Sequence, residues 1–72
     1  MKISPQIIEK LVRSGANVSV DGSDCTPQTL VHLVIAAVES GSMVTIRNAS
    51  DLPPQTLESI TMSGRTHVTL EF

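Results

Sequence analysis

Apolar and polar residues along this chain alternate between two periods. Stretches with apolar residues three and four apart give way, after a glycine, to short stretches that alternate strictly; the first spacing predicts helices and the second predicts strands. Ile7, Ile8, Leu11 and Val12 mark a first helical face, Leu30, Leu33, Val34, Ala37 and Val38 a second, and Leu57, Ile60 and Met62 a third. The second helix is the longest and most apolar, as suits a helix with neighbours on both flanks. Pro5, Pro27 and Pro54 stand where each helix should open, a position at which a missing N–H costs nothing. Ser4 and Thr26 precede two of them as capping residues. Pro53 cannot cap, so Asp51 is expected to act as the local turn acceptor for the third helix. Gly15, Gly41 and Gly64 are expected to end the helices in the left-handed conformation. In the strands, Val18 and Val20, Val44 and Ile46, and Val68 and Leu70 point one way, while Ser19, Thr45 and Thr69 point the other. Met1 and Ile3 around Lys2 predict a short additional strand over 1–3.

The same unit of helix, glycine, strand and polar turn recurs three times. SDCTPQTL, Ser23 to Leu30, returns as SDLPPQTL, Ser50 to Leu57, with six of eight positions identical. SPQII, Ser4 to Ile8, is a fainter copy. The closing segments are GANVSV, GSMVTI and GRTHVTL, beginning at Gly15, Gly41 and Gly64. Strands that each follow a helix pair in parallel, and right-handed crossovers place every helix on one face. The expectation is a single α/β domain over 1–72, built of three helix–strand repeats at about 4–20, 26–46 and 53–70. They should form a small parallel sheet with helices on one face, short and solenoid-like.

One stretch resembles the leucine-rich repeat family in outline. In VTIRNASDL, Val44 to Leu52, valine, isoleucine, asparagine and leucine fall in the order of a strand leading into an asparagine turn. VSVDGSDC, Val18 to Cys25, repeats the order with Cys25 at the leucine position. The interval from strand to Asn48 is shorter than the family's, and Gly22 stands near its equivalent without an amide. The resemblance covers about two turns and implies a short curved solenoid and, by fold analogy, protein–protein binding.

The face of the sheet away from the helices carries rows of small and charged residues: Asn17, Met43 and His67; Ser19, Thr45 and Thr69; Asp21, Arg47 and Glu71. The last row should form a surface ion ladder with Arg47 in the middle. Phe72 continues the inward phase of Val68 and Leu70, so it should either plug the edge of the core or offer an apolar contact. Met43, Thr45, Arg47, His67, Thr69, Glu71 and Phe72 are the candidate interaction surface.

Composition narrows the functions this scaffold can serve. The chain has 72 residues, a formal net charge of -2, one phenylalanine and no tryptophan or tyrosine. Negative charge disfavours a general binder of nucleic acid or anionic membrane, and the missing aromatics remove base-stacking platforms. Lys2, Lys10, Arg13, Arg47 and Arg65 form no continuous basic stripe. The N-terminal stretch has no uninterrupted apolar core of a signal peptide, and the longest apolar run, Leu33 to Val38, is far shorter than a membrane span. One cysteine fits a reducing compartment. A soluble, cytoplasmic protein is expected.

Candidate chemistry reduces in the same way. His32 and His67 belong to different units, with no HxxxH or CxxC spacing, so no metal site is expected. Cys25 reads as a small hydrophobe at a turn, with acidic Asp21 and Asp24 beside it rather than the positive charge a thiolate needs. Asp24 and Asp51 occupy matching places before Pro-led helices, which turn formation explains. Four isolated glycines make no phosphate loop, and no GxSxG segment is present. The sequence therefore leads to a noncatalytic protein–protein interaction module, self-association included, with no cofactor and no membrane partner. The alternatives are a small adaptor or inhibitor docking on a larger assembly, a fragment whose missing neighbours supply further repeats, and a nucleic-acid-associated accessory protein.

Overall fold

A computed structural model describes residues 4–72, so the strand expected over 1–3 lies outside the described residues. Helix and strand alternate as α1 (Pro5–Arg13), β1 (Val18–Asp21), α2 (Pro27–Ser40), β2 (Val44–Arg47), α3 (Pro54–Gly64) and β3 (Val68–Leu70). Short 3-10 turns at Gly22–Asp24, Ala49–Asp51 and Arg65–His67 fill three of the connections. The strands form one parallel sheet in the order β1-β2-β3. Val18 pairs with Val44 and Val44 with Val68, a register that keeps the apolar positions of all three strands on one face.

The helix starts follow local chemistry. The Ser4 hydroxyl accepts from the N–H of Ile7, and the Thr26 hydroxyl from that of Thr29, each one position before a proline. Pro53 stands at the N-cap of α3, where no side-chain hydrogen bond is made. The Asp51 carboxylate is carried in the Ala49–Asp51 turn, whose backbone bonds Asp51 N–H to the Asn48 carbonyl. Gly15 (φ 103°) and Gly41 (φ 75°) are left-handed as expected. Gly64 is not. Its φ is -92°, and Arg65 beyond it takes the positive φ of 53° instead.

The core is aliphatic throughout. Val12 from α1, Leu30, Leu33, Val34, Ala36 and Ala37 from α2, and Ile60 from α3 close over Val20, Val44 and Ile46 of the sheet. Ser19, Thr45 and Thr69 point away from this cluster, so the helices cover one face of the sheet and leave the other bare. Three members of the expected helical stripes are exposed, Ile7 and Leu11 on α1 and Met62, which is 70% exposed on α3, and Val38 and Leu57 are half-buried outside the core cluster. Among the described residues, α1 and α3 each pack on one helix only, α2.

Two clamps fasten α1 to α2. The carbonyl of Val12 lies 2.8 Å from the hydroxyls of both Ser40 and Ser42, and Ser42 is buried. Arg13 bridges Glu9 at 3.2 Å and Glu39 at 2.8 Å. Those hydrogen bonds, to Glu39 first and then Glu9, raise the arginine's pKa above its ordinary value.

Candidate functional site

The bare sheet face is built by strands that turn every second side chain away from the helices. Its middle row is Ser19, Thr45 and Thr69, brought side by side by the register. Ser19 and Thr69 are exposed and Thr45 is half-buried between them. At the N-terminal end of the strands, the Asn17 side-chain oxygen accepts the N–H of Met43 at 2.9 Å. The Thr69 hydroxyl donates to the Met43 sulfur at 3.5 Å, which holds that half-exposed thioether over the face. His67 lies in the turn before β3, half-buried, with Nδ1 2.9 Å from the Ser42 carbonyl. A carbonyl can only accept, so Nδ1 carries the proton of this bond. Met43, Thr45, His67 and Thr69 are thus brought together, and each backbone position is fixed by the sheet or a cross-strand bond.

The charged row differs from the expected ladder. Asp21 and Arg47 are in register, but among the described residues no ion pair joins Arg47 to Asp21 or Glu71. Asp21 is instead drawn into the turn that follows β1, where its carboxylate accepts from the Ser23 hydroxyl at 2.6 Å and the Ser23 N–H at 2.9 Å. It also accepts from the Asn48 amide at 2.9 Å. These bonds, the Ser23 hydroxyl foremost, hold the Asp21 pKa below its ordinary value, and the nearby positive charge of Arg47 adds to the effect. Glu71 extends the pairing by its backbone alone, donating N–H to the Ile46 carbonyl and accepting from Ala49 N–H, both at 2.9 Å. Arg47 and Glu71 are left as exposed charges at one end of the face.

Phe72 is 77% exposed. It does not plug the core, because the chain leaves the sheet after Glu71 and carries the ring into solvent. Of its two expected roles only the exposed apolar contact remains.

Asn48 lies left-handed at φ 57°. Strands β1 and β2 pair at a spacing of 26 residues, Val18 with Val44, whereas the turns that follow them, Gly22–Asp24 and Ala49–Asp51, are 27 apart. Asn48 is the extra residue, a bulge that lets Ala49 rather than Asn48 donate to Glu71. Its amide turns outward to Asp21 and is exposed. Sequence reading did not find the Asn48–Asp21 link. The unequal spacing of the two copies was the available signal.

Elsewhere the surface offers shallow grooves. One of about 300 Å3 lies between α2 and α3, lined by Pro27, Gln28, Val31, His32, Gln55, Thr56 and Ser59. Another of about 310 Å3 lies between α1 and α2, lined by Pro5, Gln6, Glu9, Thr29 and His32. His32 borders both, on the opposite side of the molecule from His67. Cys25 is a free, half-buried thiol packed against the core, and its pKa is pushed up by burial first and then by Asp24 and Asp21. Among the described residues no three His, Cys, Asp or Glu side chains are grouped to hold a metal ion. Nor is any described helix long and apolar enough to cross a membrane. Compared with known proteins, the chain matches no family model, no curated protein and no solved structure.

Proposed function

We propose that this chain is a noncatalytic protein-interaction module of the cytoplasm that receives its partner on the bare sheet face. The observation that carries the reading is the uncovered face itself. Parallel sheets ordinarily bury both faces, and here one is left to Met43, Thr45, Thr69 and His67, flanked by Arg47 and Glu71. The face suits a protein surface better than a small molecule, because its side chains are short and form no concave cavity. Hydroxyls, a thioether and a pinned imidazole offer hydrogen bonds and polarizable contact at little entropic cost, since strand and cross-strand bonds already hold them. Packed helices need about 8–10 Å each and strands about 4.8 Å. Three helices above three strands therefore favour a sheet that bends with its bare face inward, fitting a convex partner. The lone free thiol of Cys25 suits a reducing compartment.

Photo-crosslinking from Thr69 in cells of the native source, compared with crosslinking from the exposed Ile35 on α2, tests the assignment. A protein labelled from Thr69 alone, whose purified form binds the Thr69→Arg variant at least about tenfold more weakly, is the expected result. Labelling only from Ile35, or unchanged affinity for Thr69→Arg, would displace the site. Capture of nucleic acid with steep salt dependence would replace the reading altogether.

A further inference from the structure

The two grooves between neighbouring helices are made by matching residues. Each helix opens with Pro-Gln: Pro5-Gln6, Pro27-Gln28 and Pro54-Gln55. Aligned on that pair, Pro5, Gln6 and Glu9 of α1 face Thr29 and His32 of α2. In the same way Pro27, Gln28 and Val31 of α2 face Thr56 and Ser59 of α3. Each helix thus offers a forward flank to its successor and a backward flank to its predecessor. On the backward flanks, Leu33 of α2 is 1% exposed and Ile60 of α3 is 0% exposed. The matching residue of α1 is Leu11, which is 44% exposed, with Ile7 one turn earlier at 51%. At 3.6 residues per turn, Ile7 and Leu11 lie on the side of α1 opposite Glu9, and so opposite α2. This is a helix–helix contact surface that no helix among the described residues covers.

The other end of the molecule holds the complementary surface. The forward flank of α3 is covered by no helix among the described residues and carries Glu58 and Thr61, which match Glu9 and Val12 of α1. Glu9 stands across the first groove from Thr29 and His32. The same relation carried across a new joint sets Glu58 beside Ile7 and Lys10, and both Glu58 and Lys10 are exposed and opposite in charge. The sheet is open in the same direction. In a parallel ladder, alternate residues aim N–H and C=O at the same neighbour. Glu71 aims both at β2, so Val68 and Leu70 aim theirs outward. Both layers can therefore be continued by one translation.

We propose that the chain associates head to tail with a second copy of itself. The helix α3 and strand β3 of one copy stand where a helix and strand preceding α1 and β1 would stand in the next. Ile7 and Leu11 are covered, and Lys10 meets Glu58 of the neighbouring copy. The joint uses the ends of the layer and leaves the bare sheet face free, so it stands or falls apart from the function proposed above. Such a contact is heterologous and does not close on itself with two copies.

Sedimentation velocity of the 72-residue chain from micromolar to millimolar concentration provides the test. The expected mass climbs beyond the dimer. Leu11→Glu and Thr61→Arg, both at exposed sites, should each give monomers with unchanged circular dichroism and melting. Mixed in equal amounts, those two variants should form a heterodimer and stop there, since one intact flank of each kind remains. Lys10→Glu should weaken association about tenfold, and Glu58→Lys added to the same chain should restore it. A wild-type chain that stays monomeric at millimolar concentration overturns the proposal. So does a Thr61→Arg chain that still dimerises, because that result means α1 packs on α1.

Discussion

Gly64 and Arg65 shape the joint between α3 and β3 in opposite ways. Gly64 has an ordinary helical φ of -92°, so conformational freedom is not why it is glycine. Space is the reason: a Cβ there would lie 2.9 Å from Cβ of Val34 and 3.2 Å from the Val68 side chain. Gly64→Ala should therefore lower stability by about 1–3 kcal/mol, the usual cost of overpacking a tight site. Arg65 carries φ 53° and ψ -121°, a conformation that glycine adopts freely and other residues adopt under strain. Arg65→Gly should raise stability by up to about 1 kcal/mol, after the extra freedom of the unfolded chain is offset. Thermal unfolding of both variants by circular dichroism reads the contrast, and the same direction of change in both would contradict it. Sequence reading placed the helix end correctly here and assigned it the wrong cause. Glycine stands equally for a free backbone and for a missing side chain, and only the approach of Val34 separates the two.

Among the elements, the helix starts and strand register were legible because each rests on a local rule. Proline restricts its own φ and lacks an N–H, and period-two alternation excludes any one-residue slip in the pairing of Val18, Val44 and Val68. The bare face was legible for the same reason, through Ser19, Thr45 and Thr69. The charged row was not, because side chains at strand ends answer to the turns that follow them. Asp21 bends toward Ser23 and Asn48 instead of forming a ladder with Arg47. That preference has a pH signature. Since folding lowers the Asp21 pKa, its contribution is complete above the unfolded carboxylate value of about 3.9 and is lost as pH falls through the lower folded value. Urea midpoints of wild type and Asp21→Asn should differ at neutral pH, with wild type the more stable, and converge on acidification. A gap that persists unchanged to pH 2 would assign the effect to shape rather than charge.

At the scale of the whole molecule, the core contains no aromatic ring and depends on a central unit flanked by two others. Val44 and Ile46 of β2 are fully buried, β2 is paired on both sides, and α2 supplies the largest share of buried residues. Amide exchange should therefore be slowest in β2 and α2 and faster in α1, whose outer flank is open. Equal protection of α1 and α2 at low protein concentration would contradict this gradient. The open flank itself was hidden from sequence reading, since Ile7 and Leu11 have the spacing of any core-facing stripe. Only their exposure beside the buried Leu33 and Ile60 shows that the stripe outruns its neighbours. The bulge at Asn48 reaches beyond mechanics. A codon lost or gained inside β2 would turn every later side chain of that strand over to the wrong face. At position 48 the paired residues lie before the change and the turn after it, so removing the codon would restore the spacing of the first copy and lose the Asn48 bond to Asp21, but turn no strand side chain over. In a gene of this size, that makes a site where a change of length spares the alternation of the strand, and where copies of unequal length can still share one sheet.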